Sequence, residues 1–362
     1  MVIDKSIESL LNQDEFEMGS NGLTVVEDQE IPEDSSVMEM EDGGMLVDFD
    51  PMGSEEMQED LFESNLAEFI EDSELGSLAS DLVSKFDSDR DSRSDWEQTY
   101  KEGLDQLGLE IEDRTTPWAG ACGVFHPMLS EAVVRFQAQT IQEIMPAQGP
   151  VKTHVWGKFN EEKAAQAKRV QEYLNYQLIE VMTEYRSETE KLLFSLPLAG
   201  SAFRKIYFDP SLGRPTSMFV PAEDFVVAYN EGELQQAERY THMMTRSTNQ
   251  IKKLQVSGFY RDVELTPSHV EDNPIREKYN EIGGVTPSYE SREKHQLLEM
   301  HVDIDLAGYE DEDGVALPYV VTIDKGSDTV LSIYRNWDEE DPHRIKLQHF
   351  VHYGYVPGIG FY

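Results

Sequence analysis

The sequence contains few of the features that indicate a disulfide framework, a zinc site, a membrane-spanning helix or a secretory signal. Its single cysteine, Cys122, excludes an internal disulfide framework and a zinc cage made of cysteines within one chain. No stretch approaches the roughly 18 consecutive apolar residues that a membrane-spanning helix needs. The start, MVIDKSIESLL, lacks a basic region followed by an apolar run, which argues against a secretory signal. We therefore expect a soluble protein that is made in the cytoplasm.

Basic residues are also scarce. Against 71 Asp and Glu there are 30 Lys and Arg, which gives a formal net charge of −41. Residues 1–84 hold 25 of these acids and a single base, Lys5, and their apolar residues follow no sustained period. Such a segment buries too little apolar surface to offset the entropy of ordering, so residues 1–85 are predicted to be a disordered acidic tail. Scattered Phe and Leu residues leave open that part of this tail docks on a partner.

The positively charged clusters are small. Arg204-Lys205 and Lys252-Lys253 are pairs, whereas nucleic-acid binding through counterion release needs several clustered positive charges. The sequence therefore argues against tight wrapping of DNA. It still allows a loose passage of DNA along a surface that repels phosphates.

The usual signatures of nucleotide and metal chemistry are missing or weak. Gly157-Lys158 is followed by Phe159 instead of Ser or Thr, and no other Gly-Lys pair occurs, which argues against a phosphate-binding loop and an ATP motor. Asp303 and Asp305 lie two apart on a predicted strand, where they would share a face and could hold a metal ion. A metal-dependent hydrolase built on this pair is the least favoured alternative.

The remaining candidates are interpreted as structural. Glu310–Asp313 lacks the alternating ligands of a calcium loop and is interpreted as a solvated hairpin tip. His349 and His352 have aromatic neighbours, which favours packed or interfacial histidines over a metal site. Cys122 lies among Gly and Ala and is interpreted as a small packed residue. We therefore predict no catalytic, metal or cofactor-binding residues, no cofactor and no enzyme activity.

Helical spacing of apolar residues dominates the middle of the chain. Residues 94–109 and 127–144 each show one apolar face at spacings of three and four. The longest pattern runs from a predicted N-cap at Asn160 to about residue 196, before Pro197. One helix of that length would span on the order of 54 Å. It would need support along its whole length, either from the first two helices or from neighbouring subunits.

Beyond Pro197 the period of the apolar residues shifts towards two, which predicts strands. The predicted strands are 202–208, 216–221, 239–246, 296–306, 317–323 and 329–337, with a short helix from the Ser247 cap through Leu254. Residues 266–294 are rich in Pro, Gly and charge and are predicted to be an exposed insertion. The predicted organisation is α+β: a tail over 1–85, a helical region over 86–198 with one long helix at about 160–196, and a strand-rich region over 199–362 with a mixed or antiparallel sheet.

Four long blocks resemble a known family. They are GVFHPMLSEAVVRFQAQTIQEIMPAQGPVKT (123–153), LLFSLPLAGSAFRKIYFDPSLGRPTSMFVPAEDFVV (192–227), RYTHMMTRSTNQIKKLQVSGFYRDV (239–263) and FVHYGYVPGIGFY (350–362). They are similar to the portal, or head-to-tail connector, proteins of short-tailed double-stranded DNA bacteriophages. The resemblance covers roughly residues 94–362 and leaves out the acidic tail.

The resemblance implies a phage portal-like fold and a structural function. Portal subunits form a ring, usually of twelve copies, at one capsid vertex, and double-stranded DNA passes along its axis without sequence specificity. The implied partners are the terminase large subunit, head-tail adaptor proteins and the major capsid or scaffolding protein, with no membrane. The implied location is the virion, after assembly in the host bacterial cytoplasm.

One departure and one alternative accompany this resemblance. Portal subunits of this kind are longer than this chain, which ends at the apolar, Gly-rich VPGIGFY, so we expect a truncated C-terminus. The main alternative function is an acidic scaffold or interaction protein whose tail recruits a basic partner.

Overall fold

The computed structural model describes residues 36–39, 45–48, 62–107, 115–123, 126–158, 160–209, 212–228, 231–269, 273–282, 284, 293–306, 308–311, 314–355 and 361. The described residues form a mixed α+β fold with seven α-helices. The chain divides into two units, residues 1–60 and residues 61–362. In the first unit, β1 (Ser36–Glu39) and β2 (Met45–Asp48) form an antiparallel ladder. No helix in the described part of the chain is both long and apolar enough to cross a bilayer.

The helices begin and end at recognisable signals. Their bounds are α1 Asp72–Ser92, α2 Ser94–Asp105, α3 Met128–Ile144, α4 Glu161–Tyr176, α5 Tyr185–Ala199, α6 Thr248–Val256 and α7 Pro274–Ile282. The Asn160 side chain caps α4, as predicted, and Ser247 forms a capping box with Gln250 at the start of α6. Gly200 ends α5 in the left-handed conformation, φ 80°, which glycine adopts at low cost.

In the described part of the second unit, nine strands form two antiparallel sheets. Their bounds are β3 Ser201–Asp209, β4 Arg214–Pro221, β5 Phe225–Val227, β6 Arg239–Arg246, β7 Ser268–His269, β8 Glu293–Ile304, β9 Leu317–Asp324, β10 Thr329–Arg335 and β11 Phe350–Gly354. The larger sheet has the order β10-β9-β8-β6-β5, with β7 beside β8. The smaller sheet has the order β11-β3-β4. All six strands predicted from alternation are confirmed, and every recorded pairing is antiparallel.

The two faces of the larger sheet bury different kinds of side chain. Along β8, Met300, Val302 and Ile304 belong to an apolar core that also contains Leu82 and Phe86 of α1. The alternate residues of β8 project to the other face, because successive side chains of a strand point to opposite sides. That second face packs against the smaller sheet through an aromatic core that includes Phe203, Phe225, Tyr240 and Phe350.

The smaller sheet carries helices on its outer face. Leu192, Leu193 and Leu196 of α5 pack on Ala202 of β3, and Phe136 and Ile141 of α3 pack on the same group. The side chains of Glu184 and Glu188 accept hydrogen bonds from Ser217 N and Phe219 N on β4. These two side chains therefore accept hydrogen bonds from backbone N–H groups on the open edge of the sheet, which would otherwise be unpaired.

The predicted tail is wrong in its last part. Residues 62–85 include most of α1, whose Leu75, Ala79, Leu82 and Phe86 lie at helical spacing and are buried against the larger sheet. Just before it, the Asn65 amide donates to Leu331 O and accepts from Ile333 N, so it covers the open edge of β10. An apolar stripe on one face is enough for packing whatever the charge of the other face. Residues 1–35, 40–44 and 49–61 lie outside the described residues.

The single long helix predicted at about 160–196 is also wrong. After α4 the chain forms a π-helical turn, Gln177–Val181, and leaves helical geometry at Met182, which has ψ 72° and is buried. The segment Ile179 to Thr183 contains three β-branched residues, which lower helix propensity. Helix α5 then runs two residues past Pro197, which lies in its last turn.

The insertion predicted at 266–294 is not wholly exposed. Its described part contains α7, and Ile275 of this helix is fully buried in the aromatic core. Asn273 is buried as well, and its side chain donates to Glu223 O and accepts from Ile275 N. The Pro and charged residues of this segment indicated a loop, but the segment contains a helix with one buried face. Residues 270–272, 283 and 285–292 lie outside the described residues.

The placement of α1 in the core predicts a large cost for shortening one of its side chains. Leu82 is fully buried, so Leu82→Ala should lower the free energy of unfolding by about 2–5 kcal/mol through lost apolar contact and the remaining cavity. The matched control on the same helix is the exposed Ser84→Ala, for which we expect a change within about 0.5 kcal/mol. Urea unfolding followed by circular dichroism measures both. Equal values for the two variants would contradict the packing of α1.

Candidate functional site

The two carboxylates that could hold a metal ion lie at the end of β8, where both are exposed. Asp303 lies on β8 and forms an ion pair with Lys346, Oδ1 to Nζ 2.8 Å. Asp305 follows the end of the strand and is exposed. In the stretches that the structure describes, no group of three or more His, Cys, Asp or Glu is arranged to hold a metal ion.

The other candidates from the sequence also have distinct surroundings. Cys122 is exposed, so its predicted packed position is wrong. Asp311 of the predicted acidic turn forms an ion pair with Arg344, whereas residues 312 and 313 lie outside the described residues. His352 packs on Phe203, with ring centroids 5.1 Å apart, and its Nε2 lies 3.1 Å from Ser201 Oγ. The packed environment predicted for this histidine is thus what the structure has.

A buried ionic cluster lies between the two sheets. Glu299 projects from β8 towards the smaller sheet, and both of its carboxylate oxygens accept from Lys205 Nζ on β3, at 2.6 and 2.5 Å. His301 follows two residues later on the same face, and His242 lies opposite Glu299 on β6. Tyr240 pairs with His301 and stacks on its ring, with centroids 4.8 Å apart. The cluster is thus built from three strands of two sheets.

Hydrogen bonds extend this cluster to a third histidine. His301 Nε2 lies 3.2 Å from Glu299 Oε1, which fits an Nε2–H group that donates to the carboxylate. The Nδ1 atom of the same ring then accepts from the Asn336 amide at 3.5 Å, and Asn336 Oδ1 accepts from His349 Nε2 at 3.0 Å. His242 Nδ1 has no hydrogen-bond partner, although it lies 4.0 Å from Glu299.

Burial sets the protonation of these groups. It lowers the pKa of His242 to about 3 and that of His349 to about 4, and it lowers the pKa of His301 against the opposing hydrogen bond to Glu299. Burial alone would raise the pKa of Glu299, but the Lys205 ammonium and the His301 hydrogen bond hold that pKa well below its usual range. At neutral pH the cluster is therefore one ion pair surrounded by neutral imidazoles.

This arrangement suits structural support better than proton transfer to a substrate. The Lys205 ammonium covers both oxygens of Glu299, and the aromatic rings of Tyr240 and Phe350 pack around the histidines. Sequence reasoning missed the cluster because its members come from distant segments of the chain. The available signal was the repeated spacing of two, Tyr240 with His242 and Glu299 with His301, on strands that were correctly predicted.

A different kind of site lies on α4. This helix has no buried residue, although its apolar positions were predicted to form one supported face. Five large apolar side chains of α4 and the π-helical turn form a stripe, in which each member is three or four residues from another, and their exposed fractions are 40–61%. We call this stripe the helical patch; it consists of Val170, Tyr173, Leu174, Tyr176 and Ile179.

Hydrogen bonds hold α4 beside an extended segment of the chain. The extended segment 151–156 runs beside α4, where Val151 N donates to the Asn175 side chain and Thr153 Oγ1 donates to Ala167 O. Trp156, at the end of this segment, is 88% exposed. Exposed large apolar side chains that are grouped in this way are typical of surfaces that another molecule covers.

The buried ion pair predicts a large effect of removing one partner. Lys205→Met should lower the free energy of unfolding by about 3–5 kcal/mol, because it leaves the Glu299 charge buried without its cation. Lys205→Met with Glu299→Leu should cost less than the sum of the two single changes. The matched control is Lys85→Met, which removes a surface ion pair with Asp81 and should cost below about 1 kcal/mol. Additive single effects at 205 and 299 would contradict the coupling.

The buried histidines predict a loss of stability at acidic pH. Their folded pKa values lie below the unfolded value of about 6.5, so their contribution is complete above that pH and is lost as the pH falls towards 4. Between pH 7.5 and 5.0, His242 alone should account for a loss of about 2 kcal/mol in the free energy of unfolding. Urea unfolding at both pH values measures it, with His242→Asn as the test and the exposed His343→Asn as control. An unchanged pH dependence in His242→Asn would be inconsistent with this assignment.

Comparison with known proteins identifies no family for this chain. Neither the protein-family models nor the curated protein sequences give a match to this chain.

Proposed function

We propose that this chain is a structural subunit of a phage portal, a ring at one capsid vertex through which double-stranded DNA is packaged and ejected. The observation that carries this proposal is the helical patch. A helix without a buried residue and with a stripe of exposed Tyr, Leu, Ile and Val gains little from its own chain. Neighbouring copies in a ring would bury that stripe.

The junction over residues 192–227 supports the same proposal. Helix α5 ends at Gly200 and β3 begins at Ser201, so a helical layer passes directly into the smaller sheet. The smaller sheet is in turn tied to the larger one by the buried ion pair of Lys205 and Glu299. A rigid body that holds helices at its outer side is suited to a ring wall. This block is one of the four that resemble portal proteins.

The charge of the chain supports a conduit for DNA. A surface that captured phosphates would slow the movement of DNA, whereas a chain with a net charge of −41 repels them. In this proposal, the ring sits in the virion, and the terminase large subunit and later the head-tail adaptor proteins dock on it. The major capsid or scaffolding protein surrounds it. The chain itself acts without a cofactor and without catalysis.

The proposal predicts closed rings. Mass photometry of the purified chain at micromolar concentration should show species at large multiples of 41.4 kDa, and negative-stain electron microscopy should show rings with a central opening. The resemblance sets the expected number at about twelve copies. Both measurements should be repeated at 0.5 M salt, which screens repulsion between acidic copies. A protein that remains monomeric in both conditions and at the highest attainable concentration would contradict the proposal.

A further inference from the structure

A second unpartnered apolar surface lies on the smaller sheet. Ile206 and Phe208 of β3 project to the face that α5 covers only in part, and they are 45% and 61% exposed. Val351 pairs with Arg204 and Tyr353 pairs with Ala202, so these two side chains of β11 lie on the same face. Both are more than one-third exposed. We call the four residues Ile206, Phe208, Val351 and Tyr353 the sheet patch.

The chain itself shows what kind of element fits this face. Leu192, Leu193 and Leu196 of α5 pack on Ala202 and Phe219 of the same sheet, next to the sheet patch. The covered part of the face is thus covered by an amphipathic helix that presents leucines. The helical patch on α4 presents side chains of the same class, and it is exposed in the same chain, so the two patches do not cover each other within one copy.

Charge also favours contact between these two patches of different copies. Residues 151–182, which carry the helical patch, contain five bases and four acids. Residues 199–362, which carry the sheet patch, contain 16 bases and 27 acids. In a chain with a net charge of −41, two copies repel each other on average. The segment around α4 is close to neutral, and Lys168 and Arg169 directly precede Val170, so it can approach the acidic sheet region with the least repulsion.

We propose that the helical patch of one copy packs on the sheet patch of the next copy, where α4 extends the helical layer that the neighbour's α5 already forms. This inference rests on the proposed ring and names both halves of its contact. The two patches are different surfaces, so the contact is heterologous, and repeating it closes a ring or continues as a filament. A contact of the helical patch with itself would instead stop at a dimer.

Two variants separate these arrangements. The helical variant carries Val170→Gln, Tyr173→Gln and Leu174→Gln, which keeps good helix formers at exposed positions. The sheet variant carries Ile206→Thr, Phe208→Thr and Val351→Thr, which keeps residues that favour strands. The control variant carries Val256→Gln, which removes an exposed apolar side chain at the end of α6, outside both patches. Circular dichroism and thermal unfolding should show native folds for all three.

The decisive experiment mixes the two variants. Each variant alone should be monomeric at concentrations where the wild type forms rings, with association weakened on the order of 100-fold or more. The helical variant keeps an intact sheet patch and the sheet variant keeps an intact helical patch, so an equimolar mixture should form a dimer of one copy of each and nothing larger. The control variant should form rings like the wild type. Mass photometry counts the copies, and isotope labelling of one variant identifies the mixed dimer by native mass spectrometry.

Each outcome has one meaning. If the wild type forms rings but the mixture gives no mixed dimer, the pairing of these two patches is wrong while the ring stands. If the sheet variant alone forms dimers and the helical variant does not, the helical patch contacts itself, which also overturns the inference. If the helical variant forms rings like the wild type, another molecule covers that patch. A wild type that stays monomeric contradicts the proposed function itself.

Discussion

The ion pair between Lys205 and Glu299 is the contact on which the arrangement of the two sheets depends. It joins β3 of the smaller sheet to β8 of the larger one in a layer rich in aromatic side chains, where Phe350 contacts His242 and His301. A buried charge without its partner costs several kcal/mol, so the sheets are most stable in the one placement that brings these two side chains together. Apolar packing alone tolerates small shifts, because it has no direction. The charged pair therefore sets the position, and the aromatic core around it supplies most of the favourable burial.

That placement decides which surfaces the helices can use. One face of the larger sheet is covered by α1, and its other face packs against the smaller sheet and, through Ile251, against α6. The outer face of the smaller sheet remains, and α5 covers it only in part. Helix α4, which has no buried residue, lies beside the segment 151–156, with which it forms hydrogen bonds. This arrangement leaves two apolar surfaces exposed in the described second unit, the sheet patch and the helical patch.

Patterns in the sequence were sufficient to predict the strands but not the contacts between distant segments of the chain. The strand at 239–246 is confirmed at both ends because its alternation and the Ser247 cap are local signals. Helix α1 was missed because its charge outweighed an apolar stripe that was present at Leu75, Ala79 and Leu82. No glycine or proline marks the break between α4 and α5, which depends on where Met182 is buried. The buried cluster joins residues 205, 299 and 336, and no local sequence pattern predicts contacts between such distant residues.

Charge has different effects within one copy of this protein and between two copies. Within one copy, the ion pair of Lys205 and Glu299 joins the two sheets at a position where Glu299 is buried, so solvent screens the attraction only weakly. Between copies, the net charge of −41 repels a second copy and phosphates at longer range. Apolar patches must therefore supply the attraction in the proposed ring, and repulsion between copies is reduced where the charge around one of the two patches is nearly balanced, as it is around α4. In the proposed ring, the same acidity would limit the contact between subunits and leave the rest of the surface unattractive to DNA, as the proposed passage for DNA requires.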